Sequence, residues 1–220
     1  MSYVITVDGT SGSGKGTVAA LAAKKLGFDY LDSGLLYRMA AVAALRDGAP
    51  ENDGPRLGKL IASLDLRIEN GRALLDGQDV TALARSVEVG AFTSKIAVNR
   101  EARAALLQRQ RDCARRDLVC DGRAMAWEVF PNADLKVFMD CDPAVRALRR
   151  ARQLGLSEDP EGLRRIEADL RARDERDSAR AVFPNIPAPG SLMLDSAKMT
   201  IEQAVDAVAD AFRSKTGARA

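Results

Sequence analysis

The chain has 220 residues, 46% of them hydrophobic, with 33 Lys+Arg against 31 Asp+Glu, a net charge of +2 and no histidine. This is material for one domain of ordinary size, or for one core with an inserted subdomain. It excludes every chemistry that needs imidazole, from a Ser–His–Asp triad to a His metal site, and near-balanced charge argues against a general nucleic-acid binder.

The start, MSYVITVDG, has neither a basic opening nor a long apolar stretch. No signal peptide or membrane span is expected, and the protein reads as cytoplasmic. Residues 3–8 are a β-branched apolar run ending in glycine, the pattern of a buried strand. Residues 9–16 form a Gly-rich loop, and residues 17–26 have helical spacing that Gly27 closes. Residues 28–31 are a second short strand. Asp32 and Ser33 offer an N-cap for a helix that runs to Arg46. Strand, loop, helix, strand, helix is the opening of a parallel α/β sheet.

The middle changes character. Residues 49–55 are turn-rich, and residues 56–63 suit a short helix. Residues 66–69 and 73–75 flank Asn70-Gly71, a hairpin signal that a parallel βαβ unit cannot absorb, so residues 49–82 read as an insertion. Residues 84–116 are helical, with a break near Val98 and Asn99. Two buried-looking strands then end in carboxylates: residues 118–120 lead to Asp121, and residues 135–139 lead to Asp140. In α/β sheets such carboxyl edges are where sites are built. Asp140 is expected to cap the helix that follows. Residues 143–154 and 160–176 are Arg-dense helices, 191–194 a last strand, and 200–213 an amphipathic helix followed by a frayed tail over 214–220. Cys113, Cys120 and Cys141 are odd in number and form no C-x-x-C pair, so they read as small apolar side chains.

Gly9-Thr10-Ser11-Gly12-Ser13-Gly14-Lys15-Gly16-Thr17 fits G-x-x-x-x-G-K between a strand and a helix. Inward backbone N–H groups of such a loop cradle phosphate oxygens, and the helix N-terminus adds its dipole. Lys15 would reach the terminal phosphates, and the Thr17 hydroxyl would face Mg²⁺. A D-x-x-G switch paired with an N-K-x-D guanine reader is not found, which disfavours a GTPase. The size fits a small phosphotransferase.

Four motifs occur in one order: the loop; Leu31-Asp32-Ser33-Gly34-x-x-Tyr37-Arg38; Asp121-Gly122-Arg123; and Arg173-Asp174-Glu175-Arg176-Asp177-Ser178-Ala179-Arg180. Together they resemble bacterial cytidylate kinase, a P-loop nucleoside-monophosphate kinase family, over roughly residues 3–213. The resemblance implies an α/β three-layer fold with a parallel core sheet, an inserted acceptor-binding subdomain and an Arg-rich lid. In a single kinase domain the core would span about 1–35, 96–148 and 181–213, the acceptor region 36–95 and the lid 149–180. It implies that Lys15, Arg123, Arg173 and Arg176 act on the transferring phosphoryl group. ATP would lie on residues 9–17 and Arg149. Ser33, Arg38, Arg123, Arg173, Asp177 and Arg180 would hold the acceptor's phosphate and ribose, while Ser94 and Arg103 would read cytosine. Asp121 would join the Mg²⁺ shell through water. The partners implied are ATP and a nucleoside monophosphate, with neither nucleic acid nor membrane, and a monomer is expected.

The family usually reads D-G-R-D-x-G where this chain has Asp121-Gly122-Arg123-Ala124-Met125-Ala126. The replaced Asp belongs to the family's acceptor-base site, where a carboxylate suits the cytosine amine and not the uracil carbonyl. Ala124 is therefore expected to relax acceptor choice between CMP and UMP. The competing readings are a P-loop kinase of another small acceptor and a weakly active nucleotide-binding regulator. An RNA-binding module is disfavoured by the charge and by only 5% aromatic residues.

Overall fold

A computed structural model describes residues 2–69, 71–156, 159–179 and 184–217. In chain order the elements are β1 (Val4–Gly9), α1 (Lys15–Leu26), β2 (Asp29–Asp32), α2 (Ser33–Asp47), α3 (Gly54–Ser63), β3 (Leu66–Glu69), β4 (Arg72–Leu75), β5 (Gln78–Asp79), α4 (Thr81–Ala84), α5 (Val87–Ile96) and α6 (Arg100–Asp112). A 3₁₀ turn (Cys113–Arg115), β6 (Leu118–Gly122), a π-helical turn (Met125–Val129), β7 (Leu135–Asp140), α7 (Pro143–Leu154), α8 (Pro160–Ser178), β8 (Leu192–Asp195) and α9 (Ile201–Thr216) complete them. The chain divides into two units, residues 1–30 with 114–220 and residues 31–113.

The first unit is built on a five-stranded sheet of order β2-β6-β1-β7-β8. β1 is parallel to both neighbours, with Asp8 opposite Gly122 on one side and Gly9 opposite Met139 on the other. Chain order reverses around β1, so its carboxyl end is the switch point at which such sheets bind ligands. Ile5, Val7, Val119, Val137 and Met139 pack against Val18, Ala19, Ala22 and Ala23 of α1 and against Val205, Val208 and Phe212 of α9. The alanines of α1 let it lie close to the sheet. Tyr3 and Phe28 meet Phe212 edge-to-face, at ring separations of 5.2 and 5.3 Å.

The second unit centres on α2, whose buried residues (Leu35, Leu36 and Met39 through Ala44) leave little polar face, as expected of an enclosed helix. The Asp32 carboxylate caps it, accepting the Leu35 N–H at 2.9 Å. β3 and β4 form the expected antiparallel hairpin, Leu66 opposite Leu75 and Glu69 opposite Arg72; Asn70 lies outside the described residues. Asn99 supplies the break between α5 and α6 by accepting the Ala102 N–H at 3.0 Å.

α1 begins at Lys15, where left-handed Gly14 (φ 84°) turns the chain directly into it. Two expectations are corrected. α9 continues through Thr216, whose hydroxyl donates back to the Phe212 carbonyl, so residues 214–216 are not frayed. Asp142, not Asp140, caps α7 by accepting the Ala144 N–H; Asp140 accepts from the Thr10 hydroxyl and the Cys141 N–H.

Candidate active site

Gly9 ends β1 against β7, where a Cβ would stand 2.1 Å from the Met139 carbonyl oxygen; no other residue fits. The loop then winds around the Thr10 carbonyl, which accepts from the Ser13 hydroxyl (2.9 Å), the Ser13 N–H (3.3 Å) and the Lys15 ammonium (3.1 Å). Among the described residues no side chain caps the first turn of α1, so its forward N–H groups are donors suited to an anion.

The charges around that helix end are concentrated. Burial is the main cause of a Lys15 pKa lowered to about 8; Arg123 and Arg173 lower it further, while Asp121 and Asp8 oppose them. Three cations thus share one neighbourhood, an arrangement that suits several phosphate oxygens. Arg123 Nε pairs with Asp177 Oδ2 at 2.6 Å. Asp177 is buried on α8, one turn beyond Arg173. The buried Asp121 carboxylate accepts the Tyr30 hydroxyl at 2.7 Å. Thr17 and Arg176 are exposed. Arg180 lies outside the described residues. Arg149 donates to the Ser196 hydroxyl (3.1 Å) and carbonyl (2.7 Å), and that hydroxyl donates to the Ser13 carbonyl at 2.7 Å. Its link to the loop therefore runs through Ser196.

The expected acceptor residues of the second unit lie on three helices. Ser33 is buried at the start of α2. Arg38 Nη1 donates to the carbonyls of Ala84 (2.8 Å) and Ser86 (3.4 Å), and its guanidinium lies over Gly90, where a Cβ would be 3.1 Å away. Ser94 donates to the Gly90 carbonyl, one turn back along α5. Arg103, on α6, donates to the Ala97 carbonyl and sits 5.9 Å from the Tyr37 ring centroid, a cation–π contact.

The segment after Arg123 is fixed by a residue that sequence reasoning passed over. Asp8 accepts the N–H groups of Met125 and Ala126, each at 2.8 Å, and so shapes the π turn. Burial raises its pKa to about 6 against these bonds and the Lys15 charge. Ala124, 2% exposed, immediately precedes that turn. Asp8 carried the same signal as Asp121 and Asp140, a carboxylate closing a buried strand at the carboxyl edge. Arg146, Asp174 and Asn185, which hold the loop, were also passed over.

A model of the cytidylate kinase family matches residues 5–214. The chain is 46% identical over 215 residues to the cytidylate kinase of Bordetella bronchiseptica, covering 96% of this chain and 95% of that one. It is 49% identical over 209 residues to the cytidylate kinase of Paraburkholderia phytofirmans, covering 93% and 90%. Among solved structures, an uncharacterized protein from Eubacterium ventriosum aligns over 97% of this chain and 99% of that one, with a TM-score of 0.52 at 13% identity, a likeness of fold.

Proposed function

This chain belongs to the cytidylate kinase family, and from that premise we propose that it moves the γ-phosphoryl group of ATP onto CMP or dCMP, giving ADP and CDP or dCDP. The observation that carries this reading is the gathering of Lys15, Arg123 and Arg173 at a helix end whose N–H groups no side chain caps among the described residues.

Residues 9–17 hold the donor's phosphates through backbone N–H groups, with Lys15 on the outer ones. Arg149 steadies that side through Ser196. Ser33, Arg38, Arg123, Arg173, Asp177 and Arg180 hold the acceptor's phosphate and ribose, and Ser94 and Arg103 meet its base. Arg176 adds charge at the end of α8. An oxygen of the acceptor phosphate attacks the γ-phosphorus, the bond to the β–γ bridging oxygen breaks, and ADP departs with that electron pair. The attacking oxygen is already ionised near neutral pH, so no general base is needed. A chain without histidine lacks nothing for this step. Its work is alignment and charge neutralisation by fixed donors.

The donors available for Mg²⁺ are hard oxygens, the Thr17 hydroxyl and the Asp121 carboxylate acting through water. Among the described residues no cluster of three or more acidic, Cys or His side chains forms a protein cage. That donor set suits an ion carried largely by substrate phosphates and its own waters. When bound, Mg²⁺ would neutralise charge on the β- and γ-phosphate oxygens. No helix among the described residues is long and apolar enough to cross a membrane. A cytoplasmic monomer without nucleic-acid partners completes the proposal.

Ala124 supplies no carboxylate to accept from the cytosine amine, so CMP and UMP should be less well separated than a carboxylate would separate them. The test is ADP formation from Mg-ATP with CMP, dCMP, UMP, dUMP, AMP and GMP in parallel. Turnover with CMP and dCMP is expected, with UMP following closely. Turnover with none of the six would overturn the kinase reading, and a large preference for CMP over UMP would overturn the role of Ala124.

A further inference from the structure

Ser11 is a buried residue of the phosphate loop, and both of its backbone polar groups are held by one ion pair. Its N–H donates to Asp174 Oδ1 at 3.1 Å, and its carbonyl accepts from Arg146 Nη1 at 2.8 Å. The same Nη1 meets Asp174 Oδ2 at 2.5 Å, so loop, α7 and α8 close into a ring. Arg146 is 3% exposed, and its Nε is occupied by the Cys141 carbonyl at 2.9 Å. The loop rests on the stem of Arg146: a Cβ on Gly12 would lie 3.6 Å from Arg146 Cβ.

A second tie joins the loop to the same part of α8. Asn185 is 3% exposed; its Nδ2 donates to the Gly9 carbonyl at 3.2 Å, and its N–H donates to the Asp177 carbonyl at 3.0 Å. The stretch of α8 from Asp174 to Asp177 is therefore fastened to the loop at Ser11 and, through Asn185, at Gly9. Arg173, whose charge acts on Lys15, immediately precedes Asp174.

A buried ion pair returns little net stability compared with apolar residues of similar volume, because both charges must leave water. What it supplies is direction. We propose that Arg146 and Asp174 are a positioning pair that fixes the curve of the phosphate loop and sets the register of α8, and with it Arg173, on that loop. Neither residue is among those that hold the nucleotides. The proposal rests on the kinase reading for its catalytic consequence, and on the ring around Ser11 for its structural one. Small displacements of groups that must align for transfer cost heavily: about 1 Å is worth on the order of 100-fold in rate.

The test compares wild type, Asp174→Asn, Arg146→Lys and the double variant. Three readouts are taken: steady-state kinetics with ATP and CMP, thermal midpoint, and amide hydrogen exchange over residues 9–16. Asp174→Asn is expected to lower kcat by roughly 10–100-fold, with a smaller rise in KM for CMP, because α8 also carries Arg173 and Asp177 to the acceptor. Exchange across the loop should quicken. The double variant should be no slower than the slower single one, since each breaks the same ring. A lowered midpoint with unchanged kcat per folded molecule would overturn the proposal, because a merely structural pair behaves that way. If wild type phosphorylates no nucleoside monophosphate, the kinase reading fails separately, and exchange decides: faster exchange in Asp174→Asn upholds the loop restraint, unchanged exchange overturns it.

Discussion

Lys15 carries its charge where the fold resists it. Its pKa near 8, against an ordinary 10.5, means that the ammonium form costs the folded state about 3 kcal/mol at neutral pH. A side chain kept at such cost is characteristic of a site built for a ligand rather than for stability. Lys15→Met is therefore expected to raise the thermal midpoint by several degrees at pH 7 while lowering phosphoryl transfer by ~10³-fold. Scanning calorimetry alongside the ADP assay checks both; a lower midpoint would contradict the burden assigned to this charge. At this scale the sequence was readable only in part. Lys15 stood out because the loop motif from Gly9 to Thr17 announced it. Arg146 did not, since a buried Arg in an Arg-dense helix has no local mark, and its partners Ser11 and Asp174 are 135 and 28 residues away.

Elements were more legible wherever the cause was local. The β3–β4 hairpin followed from its turn residues, the break before α6 from Asn99, and α2 from its Asp cap. The π turn had no such cause. Its bend is imposed by a carboxylate 117 residues earlier in the chain, and no window of sequence around Met125 contains it. Elements also set what a site residue can do. Gly90 on α5 leaves the space over which the Arg38 guanidinium lies, with the carbonyls at the end of α4 and the start of α5 steadying it. Gly90→Ala brings a methyl group to 3.1 Å from Arg38 Nη2. The expected outcome is a KM for CMP raised about tenfold, the scale of one charge-assisted hydrogen bond, with the thermal midpoint nearly unchanged. Unchanged CMP kinetics would show that Arg38 is not aimed by α5.

For the whole molecule, the shifts of Asp8 and Lys15 impose opposite dependences on pH. Asp8 holds its proton more tightly folded (about 6) than in the unfolded chain (3.8). Stability from this group is therefore greatest below pH ~4, falls through the window to pH ~6, and above it the ionised carboxylate costs about 3 kcal/mol. Lys15 releases its proton more readily when folded, so its contribution rises with pH between about 8 and 10.5. Urea unfolding of wild type and Asp8→Asn at pH 4 and pH 7 isolates the first effect. Wild-type stability relative to the variant should fall by up to ~3 kcal/mol between the two; a pH-independent difference would refute it. The strand arrangement has a further consequence, in the order in which the chain is made. Residues 31–113 are contiguous, so their partners are all present once Cys113 leaves the ribosome. β1, synthesised first, must wait for both of its neighbours, β6 and β7, and its apolar face for Phe212. This central strand thus stays unpaired at both edges until β7 has been made. During translation that exposed Val-Ile-Thr-Val run, rather than the later-made Arg-rich helices, is the segment a chaperone has most reason to hold.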